Sequence, residues 1–311
     1  MRNLSTGWIA ILLFCVLGFT ACEDDDDPII NEVRSISEIV ENDDRFSILR
    51  GALQSTGLDA TLDQDGDFTV FAPTDQAFQD SGLDLTTYST DELRDILRYH
   101  VFIGQTIKAD DIQENTFTYL PTANQTAPGG NGVSLLVEKT GNAVTLNGDI
   151  NVTIADIDGT NGVIHAIDDV LLAPNVVDLA VQNSGLSSLV TALTDAAQLN
   201  GAPLVDVLAG DGPFTVFAPD NAAFTAAPSG LNPEQLRDVL LYHVVSGTNV
   251  RSDGIPPSAT TVQGEMLTFG GAGNAVISTS SGQDVEISFT DIQGTNGVVH
   301  LINEVMVPNN L

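Results

Sequence analysis

Cysteine is almost missing: of 311 residues only Cys15 and Cys22 carry a thiol, and both lie in the first 22. A disulfide framework and a thiolate zinc site are thereby excluded from the rest of the chain. Positive charge is equally scarce, with 10 Lys and Arg against 42 Asp and Glu and a formal net charge of −32. Nucleic acid is bound by clustered cations, so no nucleic-acid partner is expected, and docking on anionic lipid through surface charge is disfavoured by the same sign. No Gly-x-Ser-x-Gly elbow, His-Glu-x-x-His pair or glycine-rich phosphate loop occurs, which removes the usual signatures of nucleophilic, zinc and nucleotide chemistry. What the chain does have is apolar material: 42% of residues are hydrophobic and 17% charged. That is enough to build cores, and the length suits about two domains.

The longest apolar run, Trp8 to Phe19, is about a dozen residues behind Arg2. A membrane span needs roughly 20, so the run has the length of a secretory h-region. Phe19-Thr-Ala-Cys22 follows and resembles a bacterial lipobox, with Phe where Leu is usual. Residues 1–21 are therefore expected to be a lipoprotein signal peptide and Cys22 the lipidated residue, the only attachment to the membrane. Glu23 to Asp27 is a run of five acids before Pro28. Like charges keep such a segment extended, so residues 22–33 are expected to be a tether. Its acidic run beside Cys22 also resembles the surface-export signal of Bacteroidetes lipoproteins, which implies an outer-membrane protein displayed at the cell surface.

The remainder is one unit written twice. Phe68-Thr-Val-Phe-Ala-Pro73 recurs as 214–219, Tyr99-His100 as Tyr242-His243, and the segment 156–165, Asp-Ile-Asp-Gly-Thr-Asn-Gly-Val-Ile-His, as Asp-Ile-Gln-Gly-Thr-Asn-Gly-Val-Val-His at 291–300. The repeat of about 140 residues is domain-sized, giving expected domains at 34–174 and 175–311 with a very short linker. The first copy is longer between its Tyr and its Thr-Asn-Gly, and the Pro- and Gly-rich stretch 121–132 is the candidate flexible insertion.

Both copies share a local pattern. Each opens with an expected amphipathic helix, near Ile36–Leu53 and Val177–Leu193. Phe68–Ala72 reads as a strand, and Thr74 or Asp220 as the N-cap of a short helix. Ser89-x-x-Glu92 and Asn232-Pro-Glu-Gln235 are capping boxes for a longer helix. The i, i+3, i+4, i+7 spacing of Leu93, Ile96, Leu97 and His100, repeated at 236, 239, 240 and 243, puts both histidines on its apolar face. Short alternating strands follow at Leu135–Val137, Ala143–Leu146 and Ile150–Ala155, and at Met266–Phe269, Ala275–Ser278 and Val285–Phe289, before a last strand at Val163–Ile167 or Val298–Ile302. Helices early and strands late make each unit α+β.

The motifs Phe-Thr-Val-Phe-Ala-Pro, Tyr-His and Asn-Gly-Val-x-His-x-Ile, in this order and twice, resemble those of the fasciclin family over about residues 34–311. The resemblance implies tandem fasciclin-like domains, each a β-sandwich or wedge flanked by short helices. It also implies non-catalytic adhesion to, or binding of, an extracellular protein or glycan, with no cofactor. In animal members the Asp-Ile pair and the Tyr-His segment are proposed integrin contacts. That makes Asp156, Ile157, Asp291, Ile292, Tyr99, His100, Tyr242 and His243 the candidate partner-binding residues. Read physically, the same Asp opens a turn and the Ile packs. Thr74, Asp220, His165 and His300 are structural members of the motifs.

All four histidines of the chain lie in these motifs, which invites a metal or proton-transfer role. With two per copy and apolar neighbours, the favoured reading is a hydrogen-bonded core histidine, destabilised by acid, with no metal. Asp63-Gln-Asp-Gly-Asp67 begins like a calcium loop but lacks the glycine and glutamate an EF-hand requires, and reads as an exposed acidic turn. The alternative functions are glycan capture in a bacterial uptake system and an enzyme of unrecognised type.

Overall fold

The computed structural model describes residues 34–271 and 276–311. The expected signal peptide, Cys22 and the acidic tether lie outside the described residues, as does Ala275.

In the first copy the chain forms α1 (Ile36–Asn42), α2 (Ser47–Thr56), α3 (Asp59–Leu62), β1 (Phe68–Pro73), α4 (Asp75–Asp80), α5 (Thr90–Tyr99), β2 (Val101–Ile103), β3 (Thr118–Pro121), β4 (Ser134–Thr140), β5 (Ala143–Leu146), β6 (Ile150–Gly159) and β7 (Gly162–Ile167). The second repeats this as α6 (Val176–Gln182), α7 (Ser187–Asp195), α8 (Leu204–Ala209), β8 (Phe214–Pro219), α9 (Asn221–Thr225), α10 (Pro233–Tyr242), β9 (Val244–Ser246), β10 (Ser258–Thr260), β11 (Met266–Gly270), β12 (Val276–Ser278), β13 (Asp284–Gly294) and β14 (Gly297–Ile302). Each copy makes one seven-stranded sheet with the same neighbour order, β2-β1-β7-β6-β5-β4-β3 and β9-β8-β14-β13-β12-β11-β10. Among the described strands only β1 with β7 and β8 with β14 are parallel. This is the α+β fasciclin-like architecture that the motifs imply.

Strand β1 is buried at every position, because both of its faces are covered. Phe68, Val70 and Ala72 join the core under the helices with Ile36, Leu49 and Leu53. Phe71 joins a second core with Tyr99, Leu135, Leu146 and Ile167. The second copy divides in the same way, with Phe214 and Val216 on one side and Phe217 on the other. A Cβ on Gly162 would stand 2.1 Å from the Phe68 carbonyl oxygen, and one on Gly297 2.3 Å from that of Phe214. Only glycine lets the last strand lie so close to the first.

The caps form as their sequences imply. Thr74 Oγ1 accepts from Ala77 N at 3.1 Å and Asp220 Oδ1 from Ala223 N at 2.8 Å. Both capping boxes close, on Ser89 with Glu92 and on Asn232 with Gln235.

Three expectations are corrected. The single opening helix is two helices in each copy, and the second pair turns through 102°. The break falls where Asp43 and Asn183 use their side-chain oxygens on the backbone N–H two residues on, which competes with helix continuation. His100 and His243 are not on the helix face but are the C-cap residues just beyond it. The stretch 121–132 is no loose insertion: Thr122 and Asn124 are buried, Val133 N–H donates to Asn124 O at 2.8 Å, and Asn124 Nδ2 donates to Asp95 O at 2.8 Å.

Candidate functional site

The four histidines act as internal clamps. His100 Nδ1 donates to Ile96 O at 2.8 Å, and its Nε2 accepts from Leu171 N–H at 3.0 Å. His243 does the same with Val239 O and Met306 N–H, at 2.8 and 2.9 Å. His165 and His300 use the opposite tautomer. Their Nε2 donates to Ile107 O at 2.9 Å and Val250 O at 2.8 Å, and their Nδ1 accepts from Asp156 N–H and Asp291 N–H, each at 3.3 Å. A carbonyl can only accept and an amide N–H only donate, so each ring is held neutral with one proton. Burial pushes His100 and His243 down to about 4 and lowers His165 and His300 as well. No ring nitrogen has a lone pair left for a metal or a substrate proton. Among the described residues no three His, Cys, Asp or Glu side chains gather to hold a metal ion. Asp63, first of the calcium-like acids, instead accepts from Ser35 Oγ at 2.8 Å.

Tyr99 and Tyr242 are fully buried, and His100 and His243 are each 2% exposed. Tyr99 Oη donates to Ser134 O at 2.9 Å, and burial raises its pKa. The Tyr-His segment thus offers no ring surface to a partner.

Asp156 and Asp291 open no turn. They sit inside β6 and β13 with left-handed φ of 61° and 66°, at the register shift where each strand bulges against its neighbour. Their carboxylates hold the facing loop: Asp156 accepts from Ala109 N at 2.9 Å, and Asp291 from Ser252 N at 2.9 Å and from Ser252 Oγ. Aspartate suits such a position because it tolerates the αL region and satisfies a nearby backbone donor. The two following isoleucines differ. Ile157 is half-buried, whereas Ile292 is 1% exposed.

Both pack on the helical core of their own copy. Next to Ile292 lies a docking surface that the sequence did not reveal. Tyr119 of β3 reaches into the second copy, packs against its helical core, lies 5.5 Å from the Phe289 ring and accepts from Asn183 Nδ2 at 2.8 Å. Gln293 N–H donates to Ser134 Oγ at 2.9 Å, and Asn249 Nδ2 donates to Pro128 O at 3.0 Å and Gln293 Oε1 at 3.1 Å. The first copy's β3–β4 edge and its insertion therefore seat on the outer side of β13 and on the turn after α6. Among the described residues the corresponding strand of the first copy, β6, meets no such edge: Asp158, the counterpart of the 2% exposed Gln293, is exposed, while Ile154 and its counterpart Phe289 are 41% and 38% exposed.

A second feature missed in the sequence is the asparagine of Gly-Thr-Asn-Gly. Asn161 Oδ1 accepts from Ile36 N at 2.9 Å, and its Nδ2 donates to Leu62 O and Gln64 O at 2.7 and 2.8 Å. Asn296 makes the equivalent three bonds, to Val176 N, Leu208 O and Gly210 O. The motif reads as a turn, but it is the clasp that fixes the first helix to the sheet.

Comparison with known proteins agrees with this architecture. The fasciclin domain model matches residues 44–173 and again 184–308. The chain is 29% identical over 259 residues to transforming growth factor-beta-induced protein ig-h3 of Sus scrofa, across 78% of this chain and 35% of that protein. It thus spans about a third of that relative's length. Uncharacterized protein sll1735 of Synechocystis is 36% identical over 144 residues, covering 43% of this chain and 98% of its own. Among solved structures, the FAS1 domain pair from the insect cell adhesion molecule fasciclin I superposes with a TM-score of 0.53 at 17% identity, covering 86% of this chain and 98% of that one.

Proposed function

Because the fasciclin domain model matches twice and over most of its length, the chain belongs to the fasciclin-domain family, and on that premise we propose that it is a non-catalytic binding protein of the cell surface. Its partner is an extracellular protein or glycan, engaged through the outer side of β6. One observation carries the assignment of that surface. In the second copy the same side of the same strand is already a protein-docking surface, with Phe289 against Tyr119 and Gln293 N–H on Ser134 Oγ. In the first copy no described residue of the other domain meets it, and Asp158, the counterpart of buried Gln293, is exposed there with Ile154, beside half-buried Asp156. The name of the insect protein, a cell adhesion molecule, agrees with such a role.

The reading includes the N-terminus. A lipid on Cys22 holds the protein to the outer membrane, and the acids after it act as tether and export signal, placing both domains outside the cell. Support comes from the short apolar run, the lipobox-like Phe19-Thr-Ala-Cys22 and the five consecutive acids. Mass spectrometry of the N-terminal peptide from membrane fractions tests it: an acylated Cys22 is expected, and an unmodified cysteine or an intact leader overturns it.

A glycan and matrix-protein array with the soluble chain from residue 28 tests the binding surface. Asp156→Ala and Ile154→Glu are expected to abolish a hit, and Asp291→Ala to leave it. Because Asp156 also holds the bulge, Ile154→Glu is the decisive variant: a hit it leaves untouched removes β6 as the site.

A further inference from the structure

The two copies differ at one other place where the difference leaves a hole. In the first domain a cleft of about 230 Å³ opens between α2, α3, β1, α5 and β2. Its walls are apolar, with Leu53, Leu58, Phe68, Val101 and Ile103 among them, and Arg98 and Gln125 are polar residues of its lining. In the second domain the position of Arg98, just before the Tyr-His pair, is Leu241. That side chain is 6% exposed and belongs to the core with Leu193, Phe214 and Val244. Ile103, which faces Phe68 across β1 and β2, has Ser246 facing Phe214 as its counterpart. The second domain therefore buries a leucine where the first has Arg98, and Leu193, Leu208 and Val244, the counterparts of Leu53, Leu62 and Val101, line a hollow of only about 30 Å³; the first keeps a 54% exposed isoleucine in its cleft.

We propose that this cleft binds a small apolar monocarboxylate, its hydrocarbon part against Leu53, Leu58, Phe68 and Ile103 and its carboxylate on the Arg98 guanidinium. An open apolar hollow is costly in water unless something occupies it, and the paired domain, with a buried leucine at the position of Arg98, supplies the control. The head group follows from charge. Arg98 is the one cation in the lining, and its ion pair with Asp95 is long, 3.5 Å, between side chains 43% and 38% exposed. Such a pair is weak and exchangeable, whereas a carboxylate arriving with its chain already buried can take the planar fork in a bidentate bond. A polyanion is disfavoured by a chain of net charge −32, and a single carboxylate suits a single arginine. The site is independent of the β6 surface, so either can fail without the other.

The test is calorimetric titration of the full chain with decanoate, with 1-decanol and decylamine as matched probes lacking the anion. One saturable decanoate site per chain is expected, with both matched probes at least ten-fold weaker. Arg98→Gln should weaken decanoate at least ten-fold and leave the melting temperature in place, since the side chain is half exposed. Arg98→Leu, which copies the second domain, should close the cleft and abolish binding. No saturable decanoate binding by the native chain overturns the proposal, as does decanol binding equal to decanoate or an affinity unchanged in Arg98→Leu.

Discussion

The two domains share a topology, four clamping histidines and two asparagine clasps, yet they treat the same surface in opposite ways. Register fixes the correspondence. Tyr119 faces Leu136 and Pro121 faces Ser134 across β3 and β4, where Ser258 faces Thr268 and Thr260 faces Met266 across β10 and β11. The first set is largely apolar and meets the neighbouring domain through Tyr119 and Ser134, with Leu136 fully buried and Ser134 4% exposed. The second is largely polar and meets water, with Met266 54% exposed. The receiving surface is differentiated too. Gln293 is 2% exposed at the contact, while its counterpart Asp158 is exposed and pairs with Lys108 at 2.8 Å. Asn183 and Gly185 of the receiving turn correspond to Asp43 and Arg45, which pair with each other in the first domain. Where a surface is buried the charges have been replaced, because an unpaired buried charge costs several kcal/mol. Where it is free they remain.

The largest expected effect lies where the domains agree. The unfolded state takes protons on histidine as pH falls through 6.5, whereas His100 and His243 resist protonation until about 4. Their contribution is whole above pH 6.5 and is lost progressively between 6.5 and 4, at about 3 kcal/mol each. Urea unfolding at stepped pH measures this. His100→Gln with His243→Gln should lower stability at pH 7 but flatten its slope across that window, and an unchanged slope would assign the acid sensitivity elsewhere.

Next is the exchange of Gln293 and Asp158. Gln293→Asp buries a carboxylate against β4 and should cost about 3 kcal/mol, and small-angle scattering should show the domains parting. Asp158→Gln should stay within about 0.5 kcal/mol, since it removes only an exposed pair. Equal effects of the two would mean that the interface does not persist in solution. Tyr119→Ala, which removes the Phe289 contact and the Asn183 bond, should cost about 2 kcal/mol, against almost nothing for Ser258→Ala. Smallest are the caps. Thr74→Ala and Asp220→Ala should each cost about 1 kcal/mol, and Asp220→Thr a few tenths, because either side chain satisfies the same N–H.

Much of this architecture is legible in the sequence because it is set by neighbours along the chain. The caps at Thr74, Ser89, Asp220 and Asn232 and the strands at Phe68–Ala72 and Val163–Ile167 follow from side-chain type and period, each strand one residue short of its observed extent. So does the neutrality of the histidines, which apolar neighbours already imply. The Asp-Ile pair was not legible. A bulge with left-handed φ at Asp156 depends on how β6 registers against β7, and nothing near residue 156 encodes that register. The break in the opening helix was missed because apolar spacing on both sides of Asp43 and Asn183 hides a backbone hydrogen bond that ends it.

By itself the sequence determined that there are two copies of one α+β unit, where the helices after Thr74, Ser89, Asp220 and Asn232 begin, and that neither copy holds a cysteine for a disulfide. Those properties depend on composition and on contacts a few residues apart. Only the tertiary structure decided that Asn161 and Asn296 are clasps, that Ser134 and Gln293 meet across 159 positions, that the Tyr-His pairs are sealed from solvent, and that Arg98 lines a cleft where Leu241 is buried in a core. Each depends on which distant backbone groups are brought within about 3 Å, and hydrogen bonding and burial at that range carry no mark in the local sequence.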